Sequence, residues 1–211
     1  MADLLLTLVI LTNLRLLATG CMTSLITWTA FQGVVLGLFA LLSRWAHLTP
    51  DVFMVGLVAL VLKGLVFPWI MLGAAKTVHA EREVEPYVGY IPSILIGLAA
   101  LAVSLWLGTH LRIPGLDVSR LVVPATIFSV FCGQFLIVSR KKAIAQVVGF
   151  LVMENGAFIL GVGTLYYAPF LVEIGVLLDL FVAVLIWTVL IRFMNRAFHH
   201  LDTHELRHLK G

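Results

Sequence analysis

Residues 52–75 read VFMVGLVALVLKGLVFPWIMLGAA, an apolar run with one charge, Lys63, near its centre. A helix needs about 20 apolar residues to cross the hydrocarbon of a bilayer, and this run is long enough. The whole chain is 61% hydrophobic and 12% charged, whereas soluble domains carry about 25% charged residues. The run and the composition together predict an integral membrane protein.

Apolar runs of similar length fill most of the 211 residues. Seven can be delimited: Leu4–Thr19, Cys21–Leu42, Val52–Ala75, Tyr90–Gly108, Leu121–Val138, Ala143–Leu165 and Phe170–Phe193. They lack the alternation of polar and apolar positions that membrane strands show. We therefore expect one all-α transmembrane domain over residues 1–211, with about seven transmembrane helices and a polar tail at 195–211.

Lysine and arginine are distributed unequally over the connections. When the loop Arg140–Lys142 is placed in the cytoplasm, ten basic residues lie inside and three lie outside. The inside set is Arg15, Lys76, Arg82, Arg140, Lys141, Lys142, Arg192, Arg196, Arg207 and Lys210, and the outside set is Arg44, Arg112 and Arg120. Because cytoplasmic loops carry the excess of basic residues, this bias predicts an external N-terminus and a cytoplasmic C-terminus.

The order of polar residues indicates two related halves. Phe31-Gln32-Gly33 lies at the middle of the second run and Glu154-Asn155-Gly156 at the middle of the sixth, and each is followed by a run with a central charge. Residues 1–79 and 121–194 would then be parallel three-helix copies, with a linking helix at 90–110 that keeps their orientation equal.

Ionisable residues lie near the middle of three predicted spans: Lys63 in the third, Glu154 in the sixth and Asp179 in the seventh. A charge at that depth costs about 2.5–3.5 kcal/mol, so such residues commonly mark ion pathways. We interpret the three as a proton relay, which Glu173 would extend. The alternative is a static ion pair that fixes helix packing. Connecting waters could be held by four amide side chains: Gln32, Gln134, Gln146 and Asn155.

The partner of Lys63 distinguishes the relay from the static pair. A carboxylate within about 4–6 Å would keep a buried lysine charged. We expect this acid to belong to a neighbouring subunit or to contact Lys63 through water. A direct pair with Glu154 or Asp179, sealed from water, would favour the static role. Pro68, which removes a helical hydrogen bond one turn later, is either an ordinary kink or a hinge for Lys63.

The chain carries no motif that predicts catalysis. Residues 204–208, HELRH, match the HExxH zinc pattern, but a zinc site also needs a third ligand, and a hydrolase needs an enclosed substrate cleft. Cys21 and Cys132 lack the spacing of metal ligands. We therefore expect a non-catalytic protein that binds no metal and no cofactor itself.

Two stretches resemble a known family. Residues 139–156, SRKKAIAQVVGFLVMENG, and residues 168–179, APFLVEIGVLLD, resemble hydrogenase-4 component E, and the likeness extends to the Leu209-Lys210-Gly211 terminus. That family is similar, in its last three helices, to the K-type subunit of respiratory complex I and the C-type subunit of cation/proton antiporters. In those relatives a basic loop precedes a buried glutamate. Here Leu151 takes the place of that glutamate, one helical turn before Glu154.

The resemblance implies a membrane-arm subunit of a group 4 nickel-iron hydrogenase or formate hydrogenlyase-type complex, in a bacterial or archaeal cytoplasmic membrane. Its partners would be large antiporter-like subunits, a quinone-subunit-like membrane anchor and the peripheral hydrogenase module. The nickel-iron and iron-sulfur centres would lie in those partners, and Asp179 would be the acid of the last helix. A stand-alone secondary transporter or permease is the competing interpretation, and a purely structural spacer is the third.

Overall fold

The computed structural model describes residues 1–42, 50–77, 86–111 and 119–164 of the chain. These residues form helices α1 (Ala2–Leu17), α2 (Met22–Leu42), α3 (Pro50–Val61), α4 (Phe67–Thr77), α5 (Tyr90–His110), α6 (Val122–Ser139) and α7 (Ala143–Thr164). A π-helical turn, Leu62–Val66, joins α3 to α4, so the two form one continuous segment, called here the third span. Within the described ranges the helices are joined by short turns, and the β structure is limited to an isolated bridge between Pro86 and Arg140.

Among the described residues, five segments are long and apolar enough to cross a membrane: Met22–Leu42, Gly56–Gly73, Tyr90–His110, Val122–Ser139 and Ala143–Gly163. The predicted all-helical, multi-pass membrane class is therefore confirmed for the part of the chain that the structure describes. Helix α1 covers the first predicted run, but its 16 residues are fewer than an ordinary span needs. The seventh predicted run and the tail, with Glu173, Asp179 and the HELRH motif, lie outside the described residues.

Helices α1 and α6 lie side by side and run in the same direction. The Ser119 hydroxyl donates a hydrogen bond to Asp3 Oδ1 at the start of both segments. Ten residues later, Asn13 Nδ2 donates to Ser129 Oγ at 2.8 Å. Both pairs are separated by 116 residues, and a constant separation along two helices means that they are parallel and in register.

The hairpin of α6 and α7 is packed backbone to backbone. A Cβ atom at Gly133 would lie 2.4 Å from the Met153 amide nitrogen and 2.5 Å from the Gly149 carbonyl oxygen. Any larger residue would therefore push the helices apart, and small residues are what membrane helices use for such close contacts. The close packing fixes the rotation of α7, which turns Glu154 and Asn155 into the protein interior, where both are 2% exposed.

Arg140, which follows α6, is enclosed by the protein rather than exposed in a loop. Its exposed fraction is 0%, whereas the neighbouring Lys141 is exposed. Its Nη2 donates to the Leu17 carbonyl at 2.9 Å, and its guanidinium carbon lies 5.3 Å from the centre of the Tyr90 ring. A helix C-terminus carries partial negative charge, so Arg140 caps α1 electrostatically. Arg140 is therefore a buried residue, although it belongs to the basic loop 140–142.

Helix α5 packs through small residues and leaves its large ones outside. Ser93, Gly97 and Ser104 are buried, whereas Ile91 is 75% and Trp106 is 60% exposed. The spacing of the small residues places them on one face of the helix. The opposite face is a broad apolar surface that suits lipid or another membrane subunit.

Candidate functional site

Lys63 lies on the π turn that interrupts the third span, and it is 4% exposed. The Phe67 amide donates to the Leu62 carbonyl, the bond to the fifth preceding residue that defines a π turn. Pro68 follows immediately, and in an α-helix its ring would clash with the carbonyl of Gly64. The wider turn gives the proline room, so the sequence signal for the irregular backbone at Lys63 is Pro68.

Helix α2 approaches the backbone of Lys63 directly. A Cβ atom at Gly33 would lie 2.6 Å from both the carbonyl carbon and the carbonyl oxygen of Lys63. Only a glycine allows this approach. The contact holds the π turn against the middle of α2, next to the buried Gln32.

Glu154 of α7 forms a direct salt bridge with Lys63, from Oε1 to Nζ. The side chains of the lysine and the glutamate are 2% and 1% exposed. The expectation that the acid paired with Lys63 belongs to a neighbouring subunit, or contacts Lys63 through water, is therefore wrong. The reason is geometric: the close packing of α2, α7 and the third span leaves less space between the two groups than a water molecule needs.

Two further groups lie within reach of the Lys63 ammonium. Asn155 Oδ1 is 3.4 Å from Nζ, and the centre of the Phe158 ring is 4.7 Å from it. An ammonium over an aromatic face is attracted by the ring quadrupole, more strongly where water is excluded. Glu154, Asn155 and Phe158 all come from α7, and residues three or four apart share one helical face.

A chain of amide side chains continues from Asn155 across the bundle. Asn155 Nδ2 donates to Gln32 Oε1 at 3.1 Å, and Gln32 Nε2 donates to Asn13 Oδ1 at 2.8 Å. Asn13 Nδ2 donates in turn to Ser129 Oγ at 2.8 Å. All four side chains are buried. The network therefore connects the ion pair to α2, α1 and α6 without a gap.

A small cavity adjoins the ion pair. Its volume is about 10 Å³, and it is lined by Thr29, Lys63, Pro68, Leu151 and Asn155 among others. That volume is about what one water molecule needs, and a water also needs polar partners, which three of these residues supply. Leu151 supplies part of the apolar lining of the cavity.

The structure brings four of the six predicted site residues together: Lys63, Glu154, Asn155 and Gln32. Gln32 and Asn155 bond to each other directly rather than through water. Of the remaining predicted amides, Gln134 is exposed on the outer face of α6, and Gln146 Nε2 donates to the Arg140 carbonyl at 3.0 Å. Glu173 and Asp179 lie outside the described residues.

Asn13 and Ser129 belong to the network but were not among the predicted site residues. Asn13 is an amide within an apolar run, which is a usable signal because such a side chain seeks a partner in a membrane interior. Serine gives no comparable signal, because it can bond to its own helix backbone. Arg140 entered the prediction only through the count of basic residues on each side of the membrane. Its burial could not be anticipated from its place in a basic loop.

Fold and site together define a multi-pass helical membrane protein with an ion pair and a polar network enclosed between its helices. The chain is 32% identical over 188 residues to the uncharacterized protein Rv0085 of Mycobacterium tuberculosis, covering 86% of this chain and 83% of that protein. It is 30% identical over 155 residues to hydrogenase-4 component E of Escherichia coli and of Shigella flexneri, covering 72% of this chain and 71% of those proteins.

The chain therefore belongs to the hydrogenase-4 component E family. The predicted resemblance to this family is thereby confirmed. No protein-family model and no solved structure matches the chain.

Proposed function

We propose that the chain is a membrane-arm subunit of a hydrogenase or formate hydrogenlyase-type complex, and that it carries part of a proton or cation pathway. The observation that carries the proposal is the position of Lys63 on a π turn, where Asn155 Oδ1 and the Phe158 ring lie within reach of an ammonium that is paired with Glu154. The names of the Escherichia coli and Shigella flexneri relatives support the hydrogenase part, because they describe a component of hydrogenase-4. The pathway part rests on the site itself.

A sealed ion pair is also what a static packing role would produce, and the direct contact alone favours that role. Two features support a pair that moves. Lys63 lies on a π turn, a distortion that occurs frequently at functional sites. Asn155 and Phe158 offer the ammonium other contacts within reach, so Lys63 can leave Glu154 and still be stabilised.

In the proposed cycle, a proton that reaches Glu154 neutralises its carboxylate and weakens the attraction to Lys63. The ammonium then shifts toward Asn155 and Phe158. Loss of the proton from Glu154 restores the ion pair. Asp179 and Glu173 remain proposed members of the pathway, with Gln32 and Asn155 as the polar groups beside it. The chain itself is non-catalytic and binds no cofactor, and the nickel-iron and iron-sulfur centres belong to partner subunits.

We further propose seven transmembrane helices, with the N-terminus outside and the C-terminus in a bacterial or archaeal cytoplasm. The parallel arrangement of α1 and α6 supports this topology. Two segments that run in the same direction need an odd number of crossings between them, and α2, the third span and α5 supply three. Adding α7 and the run 170–193 places the two termini on opposite sides.

The proposed organisation is a duplication, with residues 1–79 and 121–194 as three-helix units and 90–110 as the helix between them. The proposed partners are large antiporter-like subunits, a quinone-subunit-like anchor and the peripheral hydrogenase module. The exposed apolar face of α5 is suited to such neighbours. A stand-alone permease is less well supported, because the cavity at Lys63 has room for about one water molecule and none for a solute.

The decisive experiment is Glu154→Gln in the assembled complex. The amide has nearly the shape of the acid but cannot carry a proton, so we expect assembly to persist and coupled ion movement to be strongly reduced. Asp3→Asn is the matched control, because Asp3 bonds to Ser119 at the start of α1, away from the ion pair. If the Glu154→Gln complex translocates ions at the wild-type rate, Glu154 is structural only.

A further inference from the structure

The hydrogen bonds that run from Lys63 through the amide side chains share one donor-to-acceptor direction. Lys63 Nζ donates to Asn155 Oδ1, Asn155 Nδ2 donates to Gln32 Oε1, and so on through Asn13 to Ser129 Oγ. Each amide therefore turns its oxygen toward the lysine and its NH₂ group away from it. Three amide dipoles are aligned head to tail, with their negative ends nearest the ammonium.

The direction follows from the donors that are available. An ammonium has three donors and no acceptor, so Asn155 can meet it only with its oxygen. The NH₂ group of Asn155 must then face Gln32, which can accept only with its own oxygen, and the same constraint fixes Asn13. A hydroxyl can accept as well as donate, which makes Ser129 a suitable end for the chain. The charge on Lys63 thus sets the orientation of every member.

We propose that Asn155, Gln32 and Asn13 form an oriented amide chain that keeps Lys63 in its charged form while Glu154 is neutral. Aligned hydrogen bonds polarise one another, and their electrostatic effect is larger in a low-dielectric interior than in water. The aligned oxygens therefore stabilise positive charge at Lys63. A neutral amine could accept a bond from Asn155 and would gain nothing from this alignment.

This role rests on the proposed function, in which Glu154 takes up and releases a proton. When the carboxylate is neutralised, the ammonium beside it loses its counterion and depends on the remaining polar groups for stabilisation. The amide chain provides that stabilisation. One proton is gained by Glu154 and none is lost by Lys63, so the acid is the group that changes its charge. Asn13 and Ser129 are then positioning residues that act on the lysine from α1 and α6.

The charge of Lys63 can be measured without any transport assay. In the full-length chain labelled at the lysine side-chain nitrogens and embedded in lipid bilayers, solid-state nitrogen NMR distinguishes an ammonium from an amine. The Lys63 resonance is assigned as the one absent from Lys63→Met. The variant Glu154→Gln removes the carboxylate charge, and we expect its Lys63 to remain an ammonium.

Further substitutions in the Glu154→Gln chain then test the amides one at a time. We expect Asn155→Leu to convert most of the Lys63 signal to an amine and Asn13→Leu to convert a smaller part. Thr12→Val is the matched control, because Thr12 is buried beside Asn13 but bonds to the Val9 carbonyl of its own helix. It should leave the ammonium signal complete. Ser129→Ala is a milder variant at the far end, should Asn13→Leu fail to fold.

An amine signal in Glu154→Gln alone, or a complete ammonium signal in both leucine variants, would overturn the inference. Failure of the proposed function gives a different result. In that case Glu154→Gln translocates ions normally in the complex, while the graded loss of the ammonium signal is still observed in the labelled chain.

Discussion

Glu154 of α7 and Lys63 of the third span form a salt bridge whose carboxylate and ammonium side chains are 1% and 2% exposed. The two residues are 91 positions apart in sequence and come from helices that are not consecutive. The described part of the chain shields both charged groups from bulk water. Each therefore depends on the other and on the polar groups around them.

The first prediction concerns the energetics of this pair. Replacing one member by an apolar residue, as in Lys63→Met or Glu154→Leu, leaves a buried charge that has lost its counterion. Each single variant should lower the free energy of unfolding by about 3–5 kcal/mol. The double variant Lys63→Met/Glu154→Leu should recover most of that stability, because no charge is left. Thermal unfolding in mild detergent measures all three.

Stability and transport should then separate in the double variant. We expect it to assemble and to be inactive in coupled ion movement. A double variant that unfolds as readily as the single ones would contradict the interpretation that loss of charge balance causes the damage. A double variant that is fully active would contradict the pathway role of the pair.

The second prediction concerns the contact between α2 and the backbone of Lys63. Gly33→Ala places a Cβ atom 2.6 Å from the Lys63 carbonyl group, so one of the two segments must shift. We expect a loss of about 1–3 kcal/mol of stability, together with reduced ion movement. Gly73→Ala in the third span is the matched control, because no neighbouring group of the described residues lies within 4 Å of the added atom. Alanine is also the better helix former, so Gly73→Ala should be neutral or stabilising.

The third prediction concerns Arg140 and its neighbour Lys141. Burial lowers the pKa of the Arg140 guanidinium, yet an arginine stays charged at neutral pH. Arg140→Ala therefore removes a charged hydrogen bond to the last carbonyl of α1 and should cost about 1.5–3 kcal/mol. Lys141→Ala, at an exposed position, should change stability by no more than about 0.5 kcal/mol. Equal losses for the two variants would show that loop charge, rather than the contact to α1, is what matters.

The fourth prediction uses the two native cysteines to test topology. Cys21 lies in the turn between α1 and α2 and is half-buried, whereas Cys132 is fully buried within α6. A hydrogen bond with the Thr23 hydroxyl, 3.1 Å away, lowers the pKa of the Cys21 thiol. A lower pKa leaves more reactive thiolate at neutral pH, so Cys21 should be modified readily.

A membrane-impermeant thiol reagent should therefore label Cys21 in inside-out vesicles and leave it unlabelled in intact cells, because the proposed topology places this turn in the cytoplasm. Labelling should disappear in Cys21→Ser and persist in Cys132→Ser. The reverse pattern, with label in intact cells alone, would invert the topology of the whole chain.

The sequence predicted the depth of the site but not its contacts. Lys63 and Glu154 were singled out because each lies near the centre of an apolar run, and the structure brings them together. Depth depends on position along a helix, which is read directly from the sequence. A contact depends on helix rotation, and a shift of one residue turns a side chain by about 100°. The π turn at Lys63 changes the rotation of the helix in this way, and the spacing of apolar residues in the sequence does not reveal it.

Arg140 shows a second limit of prediction from sequence, besides helix rotation. Counting basic residues treats every arginine in a loop as solvated, but whether it is enclosed depends on what packs over the loop. Here the end of α1 and the start of α5 meet it, and both segments are distant in sequence. Asn13 was overlooked for a related reason. Its bonds to Gln32 and Ser129 exist because α1 and α6 are parallel neighbours, an arrangement that a single sequence does not reveal.

That parallel arrangement also bears on the ancestry of the chain. If residues 1–79 and 121–194 descend from one gene, an ancestral homodimer would have placed each helix beside its own copy, as α1 is placed beside α6. The bond between Gln32 and Asn155, 123 residues apart, would then join equivalent positions across the former dimer axis. By the same offset the counterpart of Glu154 is Phe31, which is exposed. After fusion of two identical subunits, the two equivalent positions could diverge. One would have become the exposed Phe31 and the other would have kept the acid, Glu154. One asymmetric site would then have replaced two symmetric ones.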